Sequence, residues 1–264
     1  MEKKQVDAKF FFEDLYKTYN KKEYIKTDPI RFPHEITGNT EFIAFTAACF
    51  AYGNMKAIQS FLFRYFDYAG SDPFNINLTP NDKLYYRFQT SADIVSYSTV
   101  MKNIYNKYGS IGNLFNSAGA NTINMADKGI KLLRSHMNDI SNGLNFLIPV
   151  PGKSASKRLH MFLRWMVRKD DVDFGLWEHF DKTTLYMPSD THILRMATNM
   201  GIIDKNTSGR KALDKITEFF KNLNPNDPAK YDFSITRLGI VNGCKYSKND
   251  SCFSCIHQNS CLFY

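Results

Sequence analysis

The sequence predicts an all-α fold of two helical lobes, and three observations support this prediction. Apolar residues recur at spacings of three and four in eight segments, which is the period of an amphipathic helix. No convincing run of alternating apolar and polar residues, the pattern of a half-buried strand, occurs among the 264 residues. Clusters of Gly, Pro, Asn and Asp separate the helical segments. Because no linker marks a domain boundary, a single helical bundle remains an alternative.

The predicted helices follow one another along the chain with short breaks. They cover residues 8–19, 41–67, 91–107, 125–140, 155–168, 191–200, 209–222 and 229–241. The breaks are the turn-forming clusters at 70–73, 147–152 and 224–228. The small residues within 42–53 predict a closely packed core helix, in which Cys49 is expected to be a buried hydrophobe.

Composition and charge restrict the class of protein. The chain is 43% hydrophobic and 15% aromatic, which excludes general disorder. Its net charge of +8 permits binding to nucleic acid without requiring it. The charged start of the chain lacks the apolar stretch of a signal peptide, and the longest apolar run, near 42–52, is too short to span a bilayer. We therefore expect a cytoplasmic protein with no membrane partner.

Four of the five cysteines lie within the last 21 residues, at Cys244, Cys252, Cys255 and Cys261. In a reducing compartment this clustering favours a metal site over disulfides. A structural zinc site usually takes its ligands as two close pairs, whereas only Cys252 and Cys255 form such a pair here. The spacing therefore favours a 4Fe–4S cluster, whose irons each take one thiolate, with zinc as the alternative.

The segment 149–168 predicts a tight turn followed by a helix. Ser154 is a good N-cap, and the helix after it carries an apolar stripe on one face. The opposite face carries Lys157 and Arg164, with Arg158 at its margin. Lys157 then lies in the first turn, where the helix dipole disfavours positive charge. This favours the uncharged amine, which is the form in which a lysine acts as a nucleophile. A solvated basic face on a surface helix is the plainer interpretation.

Asp190 ends a loop and opens the next predicted helix. A carboxylate in this position is most simply an N-cap. Capping is compatible with catalysis, because the backbone N–H groups that bind the carboxylate also hold it rigidly.

The order of these elements resembles the helix-hairpin-helix DNA glycosylase superfamily. The run Lys157 to Arg164 resembles the lysine motif of the 8-oxoguanine glycosylase/lyases, and 190–195 resembles their aspartate motif. Residues 237–261 resemble the iron–sulfur loop of endonuclease III, although the first gap between cysteines is one residue longer. The whole chain also resembles an uncharacterised bacterial family of similar length, through the runs 162–168 and 172–175.

The resemblance implies one unit over 1–264 with two discontinuous lobes, a hairpin and catalytic segment at about 145–200, and a cluster loop at 244–261. It implies a DNA repair enzyme, a bifunctional N-glycosylase/AP lyase, acting on duplex DNA that contains a damaged base, such as an oxidised purine. Lys157 would be the nucleophile and Asp190 its assistant. The implied DNA contacts are Gly152, Lys153, Ser154, Arg158, Arg164, Lys245 and Lys248. No obligate protein partner is implied.

The segment also departs from the family pattern. It lacks the second glycine of the usual hairpin and is one residue longer, so Lys153 is an alternative nucleophile. Two other functions stay open: a non-catalytic DNA-binding protein on the same scaffold, and a zinc-stabilised helical protein that binds RNA or another protein.

Overall fold

A computed structural model defines residues 7–80, 83–119, 124–138, 140–150, 152 and 154–264. Twelve α-helices occur within these ranges. They are α1 (Ala8–Tyr19), α2 (Arg31–Glu35), α3 (Thr40–Cys49), α4 (Met55–Ala69), α5 (Ser91–Tyr108), α6 (Ile111–Ser117), α7 (Met125–Arg134), α8 (Asn142–Leu147), α9 (Lys157–Val167), α10 (Thr191–Asn199), α11 (Gly209–Leu223) and α12 (Asp232–Val241).

The remaining regular structure is sparse. Short 3-10 helices cover Lys22–Thr27, Lys182–Thr184, Asp250–Ser254 and Gln258–Ser260. The described residues contain two isolated β-bridges and no β-strand, so the predicted all-α class is confirmed. Within the part of the chain that the structure describes, no helix combines the length and the apolar character needed to cross a bilayer.

The chain forms two compact units. The terminal unit joins the N-terminal segment up to Tyr24 with Lys182–Tyr264, and the central unit is Ile25–Asp181. The terminal unit therefore contains α1, α10 to α12 and the cysteine loop. The central unit contains α2 to α9.

The core of the terminal unit forms between α1 and the C-terminal helices. The buried face of α1 carries Phe11, Phe12 and Leu15, and α11 adds Ile216 and Phe220 from one helical stripe. Cys244 and Cys261 pack against this core as partly buried residues. The core thus provides a fixed base for the cysteine loop.

The central unit is built around α3, which is buried along its length from Glu41 to Cys49. The sequence predicts one helix over 41–67, but the structure divides it into α3 and α4. Gly53 has a φ of 96°, and the Asn54 side chain accepts a hydrogen bond from the Ala57 N–H at 2.8 Å. The positive φ lies in the link between the two helices, and the asparagine cap starts the second.

A buried carboxylate holds α3 to the start of α6. Glu41 accepts hydrogen bonds from the backbone N–H groups of Ile111 and Gly112, both at 2.8 Å. It also accepts from the Tyr105 hydroxyl at 2.6 Å and the Trp177 indole at 2.7 Å. Four donors compensate the cost of burying this charge. The short helix α6 is thus fixed by a side chain 70 residues earlier.

Candidate functional site

The cysteine loop begins where α12 ends. Gly243 has a φ of 64°, a conformation that favours glycine, and it separates Cys244 from the helix. The 3-10 turn Asp250–Ser254 holds Cys252, and Cys255 follows it directly. Cys261 follows the second 3-10 turn, Gln258–Ser260. The four thiols therefore come from successive tight turns and not from one regular helix.

All four loop cysteines line one cavity in the terminal unit. Its other walls include Phe11, Leu238 and Phe263, which make the surroundings largely apolar. Cys252 is buried, and the other three cysteines are partly buried. Burial raises the pKa of Cys244 to about 11, and the other three cysteines add to this rise. The Cys244 thiol is therefore protonated near neutral pH without a cation, so metal binding there would release a proton.

Backbone amides point at three of the four sulfur atoms. The N–H groups of Tyr246, Asn249 and Phe263 lie 3.3, 3.4 and 3.3 Å from the sulfur atoms of Cys244, Cys252 and Cys261, respectively. Hydrogen bonds of this kind stabilise thiolates and tune the potential of iron–sulfur clusters. The loop backbone is thus arranged to receive negative charge on sulfur.

His257 lines the same cavity, and the sequence analysis missed it. Its ring is 2% exposed, and Nδ1 lies 2.7 Å from the Asp14 carboxylate. Within the described residues, Nε2 has no hydrogen-bond partner. A buried nitrogen without a partner is costly, and a group bound in the cavity would supply the missing interaction.

The donor set fits a four-cysteine cluster. Among the described residues, no three His, Cys, Asp or Glu side chains are grouped closely enough to hold a single metal ion. A cubane takes one thiolate at each iron, and Cys244, Cys252, Cys255 and Cys261 all line the same cavity. We assign the cysteines as the residues that would hold a cluster.

The turn before α9 differs from its predicted form. The helix begins at Lys157, and its N-cap is Ser156 with a φ of 43°, not Ser154. The Ser154 hydroxyl instead accepts a hydrogen bond from the Ser156 N–H at 3.2 Å, which closes a local turn. Lys157 still lies in the first turn, and its side chain is half-buried.

The loop amide expected to grip a phosphate already has an acceptor. Gly152 has a φ of 76°, and its N–H donates to the Asp127 carboxylate at 3.1 Å. A carboxylate in this position opposes phosphate binding by charge repulsion. The expected phosphate contact of Gly152 therefore conflicts with the structure, and Lys153 lies outside the described residues.

Two arginines predicted to contact DNA have internal partners. Arg164 is 2% exposed, and its guanidinium lies 3.1 Å from the Asp173 carboxylate, so contact with DNA is inconsistent with its burial. The Arg158 guanidinium donates to the carbonyl oxygens of Cys49 and Phe146. Burial lowers the pKa of Arg158, although the residue stays partly exposed. The sequence could not reveal these partners, because they come from other helices and loops.

Asp190 is the N-cap of α10. Its carboxylate accepts a hydrogen bond from the Ile193 N–H at 2.8 Å, and the residue stays partly exposed. The same helix contacts the cysteine loop, since the Asn199 amide donates to the Tyr246 carbonyl at 2.7 Å. Burial raises the pKa of Tyr246, and the charge of Asp190 adds to this rise. The structure therefore places Asp190 beside the cysteine loop.

The predicted site residues divide between the two units. The terminal unit brings together Asp190, the four cysteines and the exposed side chains of Lys245 and Lys248. The central unit contains Gly152, Ser154, Lys157, Arg158 and Arg164. The Lys248 ammonium lies 4.4 Å from the ring centroid of Tyr264, a cation–π contact at the protein surface.

Comparison with known proteins gives one match. The family described as "Protein of unknown function (DUF2400)" matches residues 28–241, a range that ends before the first loop cysteine. The predicted membership of the helix-hairpin-helix DNA glycosylase superfamily is therefore wrong, because the matching family is a different one. No curated protein and no solved structure matches the chain.

Proposed function

The chain belongs to the DUF2400 family of unknown function, and from the geometry above we propose that it is a DNA-processing enzyme that also carries a structural 4Fe–4S cluster. The proposed activity is that of a bifunctional DNA N-glycosylase/AP lyase. It excises a damaged base through a Schiff base on lysine. A reducing cytoplasm is the compartment in which such a cluster would persist.

The observation that carries the proposed chemistry is the position of Lys157. From Leu159 to Val167 every residue of α9 is buried, whereas Lys157 at its first position is only half-buried. The Ser156 side chain makes no capping hydrogen bond to the helix. A substrate phosphate could therefore accept hydrogen bonds from the first-turn amides, next to the lysine amine.

In the proposed reaction, the Lys157 amine forms a bond to C1′ of the damaged nucleotide while the bond from C1′ to the base breaks. The base leaves with a proton, and loss of an amine proton with opening of the sugar ring gives an imine. Loss of a proton from C2′ then forms a C2′–C3′ double bond as the bond from C3′ to the phosphate oxygen breaks, which cleaves the strand. Covalent catalysis of this kind divides one difficult step into easier ones.

Asp190 belongs to the terminal unit and Lys157 to the central unit, so the proposed reaction uses the Lys157 amine and assigns no step to Asp190. Its hydrogen bond from Ile193 fixes the carboxylate, and its partial exposure leaves an oxygen accessible. The cluster would be structural and would stabilise the cysteine loop, which α10 contacts through Asn199.

Borohydride trapping tests the proposed chemistry. Wild-type protein incubated with labelled duplex DNA that contains an abasic site or 8-oxoguanine should give a covalent protein–DNA adduct. Lys157→Ala should abolish the adduct, because the amine that forms the imine is gone. Lys56→Ala is the matched control, since Lys56 is the second residue of α4 in the same unit and is exposed. Its adduct yield should equal that of wild type.

Other outcomes of the trapping experiment identify the alternatives. An adduct that survives Lys157→Ala and is lost in Lys153→Ala would move the nucleophile to Lys153. Tight DNA binding with no adduct on any lesion would instead support a non-catalytic DNA-binding protein. The altered hairpin, which lacks the second glycine, is the observation that favours this second candidate.

A further inference from the structure

A cluster of aromatic and arginine side chains lies on the surface of the central unit. We call it the aromatic–arginine surface, and its members are Tyr52, Arg87, Phe88, Phe146 and Arg158. Phe88 is 59% exposed, and Phe146 is 42% exposed. Large rings are rarely exposed together without a partner, so this surface requires an explanation.

A tight turn presents the most exposed part of the surface. Tyr86 and Gln89 exchange two backbone hydrogen bonds of 3.0 and 2.9 Å, which places Arg87 and Phe88 at the tip. The Gln89 side chain donates to the Gly143 carbonyl at 3.0 Å and accepts a hydrogen bond from the Tyr52 hydroxyl. The turn is therefore held to α8, and the Phe88 ring is presented on a fixed support.

The rings form one continuous patch. The Tyr52 and Phe88 rings are nearly parallel, with 5° between their planes and 6.2 Å between their centroids. Phe146 meets both edge to face, at 4.8 Å from Tyr52 and 5.2 Å from Phe88. Phe88 and Phe146 therefore present exposed ring faces in a patch that is held together by ring–ring contacts.

Two guanidinium groups lie against these rings. The Arg87 guanidinium is 5.4 Å from the Phe88 centroid, and the Arg158 guanidinium is 4.9 Å from the Phe146 centroid. Arg87 is exposed and can contact a ligand, and Arg158 is the residue next to Lys157. Positive charge and stacking faces therefore occur together beside the proposed nucleophile.

We propose that the aromatic–arginine surface binds unpaired nucleobases of single-stranded or locally opened DNA. The rings would stack on bases, and the exposed Arg87 would contact a neighbouring phosphate. Each nucleotide of a nucleic acid offers both a π face, on its base, and a negative charge, on its phosphate. The chain's net charge of +8 favours binding to such a negatively charged partner. The choice of DNA rests on the proposed function, because the surface adjoins Lys157.

A tryptophan reporter gives a direct test of stacking. Phe88→Trp places an indole at the turn tip, whereas the native Trp165 and Trp177 are 0% and 5% exposed and give a constant background. Titration with an unlabelled oligothymidylate strand should quench the fluorescence of the new tryptophan. Unquenched fluorescence at saturating DNA, with binding verified by anisotropy of a labelled strand, would refute the proposal.

Affinity for the same single strand gives the second readout. Phe88→Ala should weaken binding by roughly 5- to 150-fold, since stacking on one aromatic side chain contributes about 1–3 kcal/mol per base. Phe10→Ala is the matched control, because Phe10 is 62% exposed and lies in α1 of the terminal unit, outside the cysteine loop. Equal affinity of Phe88→Ala and wild type would overturn the proposal. Capture of a protein partner that depends on Phe88, without DNA binding, would also do so.

These measurements separate this proposal from the proposed chemistry. Wild-type trapping together with unchanged DNA affinity in Phe88→Ala would refute the aromatic–arginine surface alone. Binding that depends on Phe88, without any trapped adduct, would support the surface and refute the lyase activity.

Discussion

Replacing Cys252 with serine is expected to remove the metal centre. Cys252 is the most buried of the four loop cysteines, and the Asn249 N–H points at its sulfur. A serine oxygen is a poor substitute for a thiolate at iron, so the cluster would lose one of its four anchors. Iron per chain should fall from about four to near zero, and the brown colour of anaerobically purified protein should disappear. Iron analysis and visible absorption measure this change.

Cys49→Ala is the control for this experiment. Cys49 is buried in α3 of the central unit, and burial raises the pKa of its thiol to about 12, as expected for an inert cysteine. Iron content should not change in this variant. Stoichiometric zinc in colourless wild-type protein would contradict the cluster and favour the zinc alternative.

Asp173→Ala is expected to destabilise the central unit by about 3–5 kcal/mol, because it removes the buried carboxylate that pairs with two buried arginines. Asp173 pairs with both Arg164 and Arg168, whose side chains are 3% and 4% exposed. Burial raises the pKa of Asp173 to about 6 against the opposing effect of the two arginines, so the carboxyl is ionised at pH 7.5. Asp173→Asn should have a smaller effect, because it keeps one acceptor oxygen.

Urea unfolding followed by tryptophan fluorescence measures this effect. The chain has two tryptophans, Trp165 and Trp177, and both lie in the central unit. Glu35→Ala is the control, since the Arg31–Glu35 pair lies at the surface of the same unit and should contribute less than about 1 kcal/mol. The structural role of Asp173 would be disproved if Asp173→Ala lowered the free energy of unfolding by no more than Glu35→Ala does.

The long helices were predictable from the sequence, because their apolar periodicity is local information. The predicted segments 8–19, 191–200 and 209–222 differ from α1, α10 and α11 by at most one residue at either end. The short helices α2, α6 and α8 were not predicted. They have too few turns for a clear period, and contacts with distant residues hold them, as Glu41 does for α6.

The site was predictable only in part. The cysteine spacing identified the residues that line the cavity, but His257 depends on Asp14, which lies 243 residues earlier in the chain. The burial of Arg164 depends on a turn that returns Asp173 to the helix. Such partners are tertiary information, which a helical period does not contain.

The terminal unit has a consequence for biosynthesis. Its first helix is made before the central unit, but the core that covers Phe11 and Phe12 comes from residues after 182. The central unit can fold during translation, whereas the apolar face of α1 stays exposed until the last helices are synthesised. We expect nascent chains stalled before residue 182 to recruit chaperones through α1.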